Sequence, residues 1–106
     1  MALTRDFTAT IAARARREPR FRESMLAEAL NATFAGDVGA GKRILRDLVN
    51  ATIGFEGLAM ETGRPSKSLH RMLAPRGNPS TANFFEIVWA LQRHARVKLR
   101  VAARAA

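Results

Sequence analysis

The stretch that decides the fold is residues 55–73, FEGLAMETGRPSKSLHRML. Leu58 supplies the inner face of a first short helix. Gly63 ends that helix, because glycine adopts the left-handed backbone of a tight turn at no steric cost. Leu69 and Leu73 then recur at helical spacing and anchor a second short helix. The pattern predicts two helices joined by a tight turn, which is the form of a helix-turn-helix.

The second helix of this pair leaves polar and basic side chains on its outer face. We expect Ser66, Lys67 and His70 to contact base edges, because the N-terminal half of such a helix enters the major groove of DNA. Phosphate contacts, which position a protein without reading sequence, are expected from Arg64, Ser68, Arg71, Arg76, Asn78 and Ser80. The alternatives are a solvated helix face and, for Asn78 and Ser80, ordinary turn and capping chemistry.

Positive charge is the strongest feature of the composition. The 106 residues include 18 Lys plus Arg and 9 Asp plus Glu, a formal net charge of +9. Residues 1–53 carry nine basic and six acidic residues, whereas residues 54–106 carry nine basic and three acidic. A basic half is typical of a phosphate-facing surface, but an arginine-rich composition from a GC-rich genome looks the same. Composition alone does not distinguish the two explanations.

The same composition excludes several classes of function. The chain has no cysteine, so disulfides, thiolate metal sites and cysteine nucleophiles are excluded. With only His70 and His94, and no further ligand at a suitable spacing, we expect no metal and no cofactor. Glu56 and Glu61 have no nucleophile or oriented partner beside them, so we expect no enzyme. No apolar run approaches the ~20 residues of a membrane span, which predicts a soluble, cytoplasmic protein.

Helical periodicity dominates the chain, which we interpret as one all-α domain over 1–106. Its parts are N-terminal helices in 1–53, the helix-turn-helix region in 54–95 and a basic tail in 96–106. In the first helix we expect Phe7, Ile11 and Ala15 on one apolar face. Asp37 is expected to cap the third helix.

A turn-rich loop and a long apolar helix follow the helix pair. The loop, residues 74–79, contains two prolines, a glycine and an asparagine. Ser80 or Thr81 is expected to cap the helix after it. Its aromatic cluster, Phe84, Phe85 and Trp89, is interpreted as core or dimer interface, rather than as a stacking platform for single-stranded nucleic acid.

The tail contains a change of period. Val97–Val101 alternates apolar and basic residues, the pattern of a short C-terminal strand. A lone strand needs a partner, either the same strand of a second subunit or the sheet edge of another protein. The alternative is a frayed, helical or disordered tail.

Residues 54–91, GFEGLAMETGRPSKSLHRMLAPRGNPSTANFFEIVWAL, resemble the helix-turn-helix domain of HigA-type antitoxins. These belong to the Xre, or lambda-repressor-like, group. The matching features are Gly54-Phe55-Glu56 before Leu58-Ala59, then Gly63, Ser68-Leu69, Arg71, Arg76-Gly77-Asn78-Pro79, Asn83, Phe84 and Val88. The segment Leu45–Ile53 also resembles the helix leading into that domain. In all, the resemblance covers roughly residues 20–95.

The resemblance implies an all-helical, often dimeric protein that binds double-stranded operator DNA. Such proteins pair with a small ribonuclease-type toxin of the HigB/RelE group and repress their own operon. Two positions depart from the family pattern. Arg64 stands where an apolar residue is usual, and Pro65 stands where a serine cap is frequent. Two other functions fit the same residues: a toxin-neutralising interaction protein with little DNA binding, and a nonspecific basic nucleic-acid binder.

Overall fold

The six helices of the protein follow one another through short connections. The computed structural model describes the backbone of residues 2–106 and the side chains of residue 7 and of residues 9–106. The helices are α1 (Ala2–Arg17), α2 (Pro19–Phe34), α3 (Val38–Ala51), α4 (Gly54–Thr62), α5 (Ser66–Leu73) and α6 (Thr81–Ala95). Within residues 2–106 there is no strand, so the all-α class is confirmed.

Local capping sets two of the helix starts. The Asp37 carboxylate accepts a hydrogen bond from the Ala40 N–H at 3.1 Å, in the first turn of α3. The Ser80 hydroxyl accepts one from the Asn83 N–H at 3.1 Å, in the first turn of α6. Both side chains satisfy an N–H that has no partner within its helix. The two capping predictions are confirmed, and Ser80 rather than Thr81 is the cap of α6.

The central element of the fold is α3, which packs against each of the other five helices. Leu45, Leu48 and Val49 are fully buried on its inner face. Near its start, Gly41 lies directly against α2. A Cβ added there would overlap the Thr33 hydroxyl and lie 2.9 Å from the Ala29 carbonyl oxygen. The missing side chain at Gly41 is what allows the two helices to approach so closely.

An arginine of α2 holds the ends of two other helices. The Arg22 guanidinium donates to the Ala15 carbonyl at 2.8 Å and to the Ala95 carbonyl at 3.2 Å. These oxygens lie in the last turns of α1 and α6, where carbonyls lack partners within their helix. A cation there also opposes the partial negative charge of a helix C-terminus. Arg22 therefore joins α1, α2 and α6 at one end of the molecule.

One expectation about the apolar face of α1 is only partly confirmed. Ala15 is buried and Ile11 packs against the core, as expected. Phe7, expected on the same face, is 65% exposed. In α6 the core interpretation holds for Phe84, which is buried, whereas Phe85 and Trp89 are exposed.

The short strand expected at Val97–Val101 does not form. The Leu99 N–H donates to the Gln92 side-chain oxygen at 2.9 Å, and Val97 and Leu99 pack against the core. No second strand lies within residues 2–106 to pair with this segment. A strand requires a partner, which a single copy of the chain does not supply.

The close approach of α2 and α3 predicts opposite effects for two glycines on the same helix. Gly41→Ala should lower the free energy of unfolding by about 1–3 kcal/mol, because the new methyl group overlaps α2. Gly39→Ala is the control, since the nearest atom to its added Cβ is the Asp37 carboxylate oxygen at 3.9 Å. It should raise stability by about 0.5 kcal/mol through helix propensity. Urea unfolding measures both, and equal effects of the two substitutions would contradict the packing described.

Candidate nucleic-acid interface

The α4–α5 pair is built around a left-handed glycine. Gly63 ends α4 with φ 72° and ψ 17°, and its N–H donates to the Ala59 carbonyl at 2.8 Å. Pro65 then has extended dihedral angles, and α5 begins at Ser66. Leu69 is fully buried between the helices and the core. The predicted arrangement of two short helices and a tight turn is confirmed.

The outer face of α5 carries the residues expected to contact bases. Lys67 and His70 are exposed and Ser66 is half-buried. The His70 ring stacks on the Phe55 ring, with centroids 3.8 Å apart and planes inclined by 20°. One face of the imidazole is therefore covered by α4, and only its edge and outer face are open to a ligand. Among these three residues, Lys67 is the one with an exposed cationic side chain.

Four of the six predicted phosphate contacts line one open cavity of about 310 Å³ between α5 and the following loop. Ser68 and Arg71 come from α5, and Arg76 and Asn78 come from the loop. Neither arginine forms an ion pair with any described side chain. Two unpaired guanidinium groups, a hydroxyl and an amide around one cavity are the donors that a phosphate oxygen accepts from. We call this the phosphate cavity.

The other two predicted phosphate contacts have partners within the protein. The Arg64 guanidinium donates twice to the Glu86 carboxylate of α6, at 2.9 and 3.3 Å. Those hydrogen bonds and the charge of Glu86 raise the pKa of Arg64 above its ordinary value. Ser80 is occupied as the cap of α6. Both residues lie outside the phosphate cavity, and both have a structural role. The sequence indicated that role for Ser80 but not for Arg64.

A buried lysine of α3 holds the loop that lines the cavity. Lys42 is only 4% exposed, and its ammonium donates to the Pro75 carbonyl at 3.1 Å and to the Gly77 carbonyl at 2.6 Å. One turn further along α3, the Arg46 guanidinium donates to the Leu73 carbonyl at the end of α5. A buried charge is costly unless its hydrogen bonds are satisfied, so these contacts define the loop's position.

Sequence analysis missed Lys42, although a signal was present. Lys42 precedes Leu45 by three residues and Val49 by seven, so it lies on the apolar stripe of α3. A charged residue on such a stripe is expected to have a buried partner. The partners of Lys42 are carbonyls 33 and 35 residues further along the chain. The sequence pattern does not show which distant residues these are.

Glycine is required at one position of the loop by a close backbone contact. A Cβ at Gly77 would overlap the Arg71 carbonyl and lie 2.6 Å from the Met72 carbonyl. The Gly77 N–H meanwhile donates to the Ala74 carbonyl at 2.8 Å. The loop therefore folds back against the last turn of α5, which brings Arg76 beside Arg71.

Comparison with known proteins does not extend this description. No protein-family model, curated protein sequence or solved structure matches the chain. Across the described side chains there is no group of three or more histidine, cysteine, aspartate or glutamate residues that could hold a metal ion. In the described helices no stretch is long and apolar enough to cross a membrane. Function is therefore inferred from the geometry and charge of the site itself.

Because the Lys42 ammonium is buried, replacing it with an apolar group of similar length should strongly reduce stability. Lys42→Met should lower the free energy of unfolding by about 2 kcal/mol, because the partly buried hydrogen bonds to the Pro75 and Gly77 carbonyls are lost. Lys67→Met is the matched control on an exposed position and should stay within about 0.5 kcal/mol of the parent chain. Urea unfolding compares the two, and hydrogen exchange should show faster exchange at the Gly77 amide in the Lys42 variant. Equal stability of both variants would show that Lys42 does not hold the loop.

Proposed function

We propose that the protein is a sequence-specific DNA-binding transcriptional regulator. The observation that carries the proposal is the phosphate cavity, where Arg71 and Arg76 lie unpaired beside Ser68 and Asn78. Phosphate contacts supply most of the affinity of a protein for DNA, and they also fix its register on the duplex. The exposed Lys67 on α5 is then in position to reach base edges in the major groove.

In this proposal the residues that contact phosphates differ from those that contact bases. Arg71 and Arg76 neutralise phosphates, whereas Lys67 discriminates between bases. Ser66 and the open edge of His70 contribute hydrogen bonds to the same groove. Arg64 and Ser80 contribute less than the sequence suggested, because Glu86 and the α6 N-terminus already engage them.

A dimer is the form that the proposed repression requires. Two copies of α5 would enter successive major grooves about 34–36 Å apart on a palindromic operator. The resemblance to HigA-type antitoxins supports a further step: the protein would repress its own operon and neutralise a HigB/RelE-like toxin. Toxin neutralisation with little DNA binding, and nonspecific nucleic-acid binding, are the outcomes against which this proposal is tested.

The first test is the affinity for DNA just upstream of the protein's own gene against random DNA of equal length. Footprinting and a salt titration give both specificity and charge dependence. If a dimer neutralises ~6 phosphates, log affinity should fall with log salt at a slope of roughly −5. Equal affinity for the two DNAs would leave only nonspecific binding. No binding at low salt, together with capture of a toxin encoded beside the gene, would favour the interaction protein.

The second test separates phosphate contacts from base contacts. Arg71→Ala and Arg76→Ala should each weaken binding to all sequences and reduce the magnitude of the salt slope by about 2, because both copies of the dimer lose a phosphate contact. Lys67→Ala should reduce the preference for upstream DNA over random DNA by about a hundredfold, because both copies of the dimer lose a base contact worth roughly tenfold each. Fluorescence anisotropy at two salt concentrations measures both quantities.

The control for the second test is Arg20→Ala, which removes the same charge from the exposed start of α2. Arg20 lies in the first turn of α2. Thr33 lies in the last turn of the same helix, where it contacts Gly41, the residue before Lys42. If Arg20→Ala lowers affinity and salt slope as much as Arg71→Ala does, then overall charge and not the phosphate cavity determines binding.

A further inference from the structure

A second surface lies between α2, α6 and the tail. It is a groove of about 360 Å³, which we call the tail groove. Phe34 from α2, Phe85 from α6 and Val101 from the tail line it, and they are 60%, 46% and 79% exposed. An exposed cluster of large apolar side chains is uncommon on a small protein unless another molecule covers it.

Two basic side chains of the tail lie at the groove. Among the described residues that line it, Arg100 alone is charged, and Lys98 is exposed two positions earlier on the same segment. Neither forms an ion pair with any side chain that the structure describes. An occupant therefore meets an apolar floor and a basic rim, which favours apolar groups beside carboxylates.

The backbone of the tail has N–H groups that are available for hydrogen bonds with another chain. Burial alternates along it: Val97 and Leu99 are half-buried, while Lys98 and Arg100 are exposed. The Leu99 N–H points inward to Gln92, at 2.9 Å. The Val97 N–H also donates to Gln92, at 3.0 Å, whereas the N–H groups of Lys98 and Arg100 have no hydrogen-bond partner among the described residues. This is the unpaired edge onto which an extended segment of another chain adds as a strand.

A second copy of the tail fits this edge poorly. Antiparallel pairing that keeps apolar side chains together on one face also places Lys98 and Arg100 of one copy opposite basic residues of the other. A shift of one residue removes that repulsion but sets apolar side chains against charged ones. Like charges directly opposite one another destabilise a strand pair. The charge pattern therefore favours a different chain with acidic residues at those positions.

We infer that the tail groove binds an extended segment of a partner protein in which apolar and acidic residues alternate. The segment adds as a strand along Val97–Val101, with its apolar side chains against Phe34 and Phe85. Its carboxylates lie beside Lys98 and Arg100. This interaction uses none of the residues of the phosphate cavity.

The test titrates the ¹⁵N-labelled full chain with a ten-residue peptide of alternating Val and Glu. Chemical shifts of Lys98, Arg100 and Phe85 should change, and those of α5 should not. A Val–Lys alternating peptide should not bind. In Lys98→Glu/Arg100→Glu the preference should reverse: the Val–Glu peptide binds at least about tenfold more weakly and the Val–Lys peptide gains affinity.

Two controls separate this interaction from general attraction to a basic protein. A peptide with the same composition, but with its valines and glutamates in two blocks, keeps the charge and loses the alternation. Arg16→Glu/Arg20→Glu matches the charge reversal at exposed positions outside the groove. Equal binding of block and alternating peptides, or equal loss in the control variant, overturns the inference. Sedimentation that shows a dimer disrupted only by Lys98→Glu/Arg100→Glu assigns the groove to a second copy and also overturns it.

Discussion

The buried ammonium of Lys42 is the contact on which the candidate interface depends. It lies inside the protein on α3 and donates to two carbonyls of the loop between α5 and α6. An ammonium at that depth is tolerated only while those hydrogen bonds persist, since losing them leaves an unsatisfied buried charge. The loop conformation and the packing of α3 are therefore coupled. Arg46, on the same face of α3, donates a further hydrogen bond to the end of α5.

This coupling explains how a connecting loop can present a defined set of donors. Loops carry binding residues well when a rigid scaffold positions them. Here the scaffold is α3, whose inner face also packs the apolar core, and the close contact of Gly77 with the last turn of α5 completes the arrangement. The positive charges of the chain also divide by role. Arg22 and Arg64 have partners within the protein, whereas Arg71 and Arg76 form no ion pair with a described side chain and line the phosphate cavity.

The phosphate cavity and the tail groove differ in chemistry but are neighbours. The first is polar and lined by α5 and its loop, and the second is apolar and edged by a basic tail. A shallow cavity of about 270 Å³ lies between them, with Asn78 and Pro79 at one side and Phe85 at the other. If both proposals hold, an occupant of one surface would lie close to an occupant of the other.

The sequence by itself determined the helices and the caps of α3 and α6, because these obey short-range rules. Asp37 finds its N–H three residues away, and Gly63 needs only its own backbone freedom to end α4. Only the tertiary structure decided which charged side chains have hydrogen-bond or ion-pair partners within the protein. Lys42 and Arg64 find partners more than twenty residues distant, and Val97–Val101 finds none to make a strand. Hydrogen bonds and ion pairs depend on distances in space, and a linear pattern of residue types carries no such distances between remote positions.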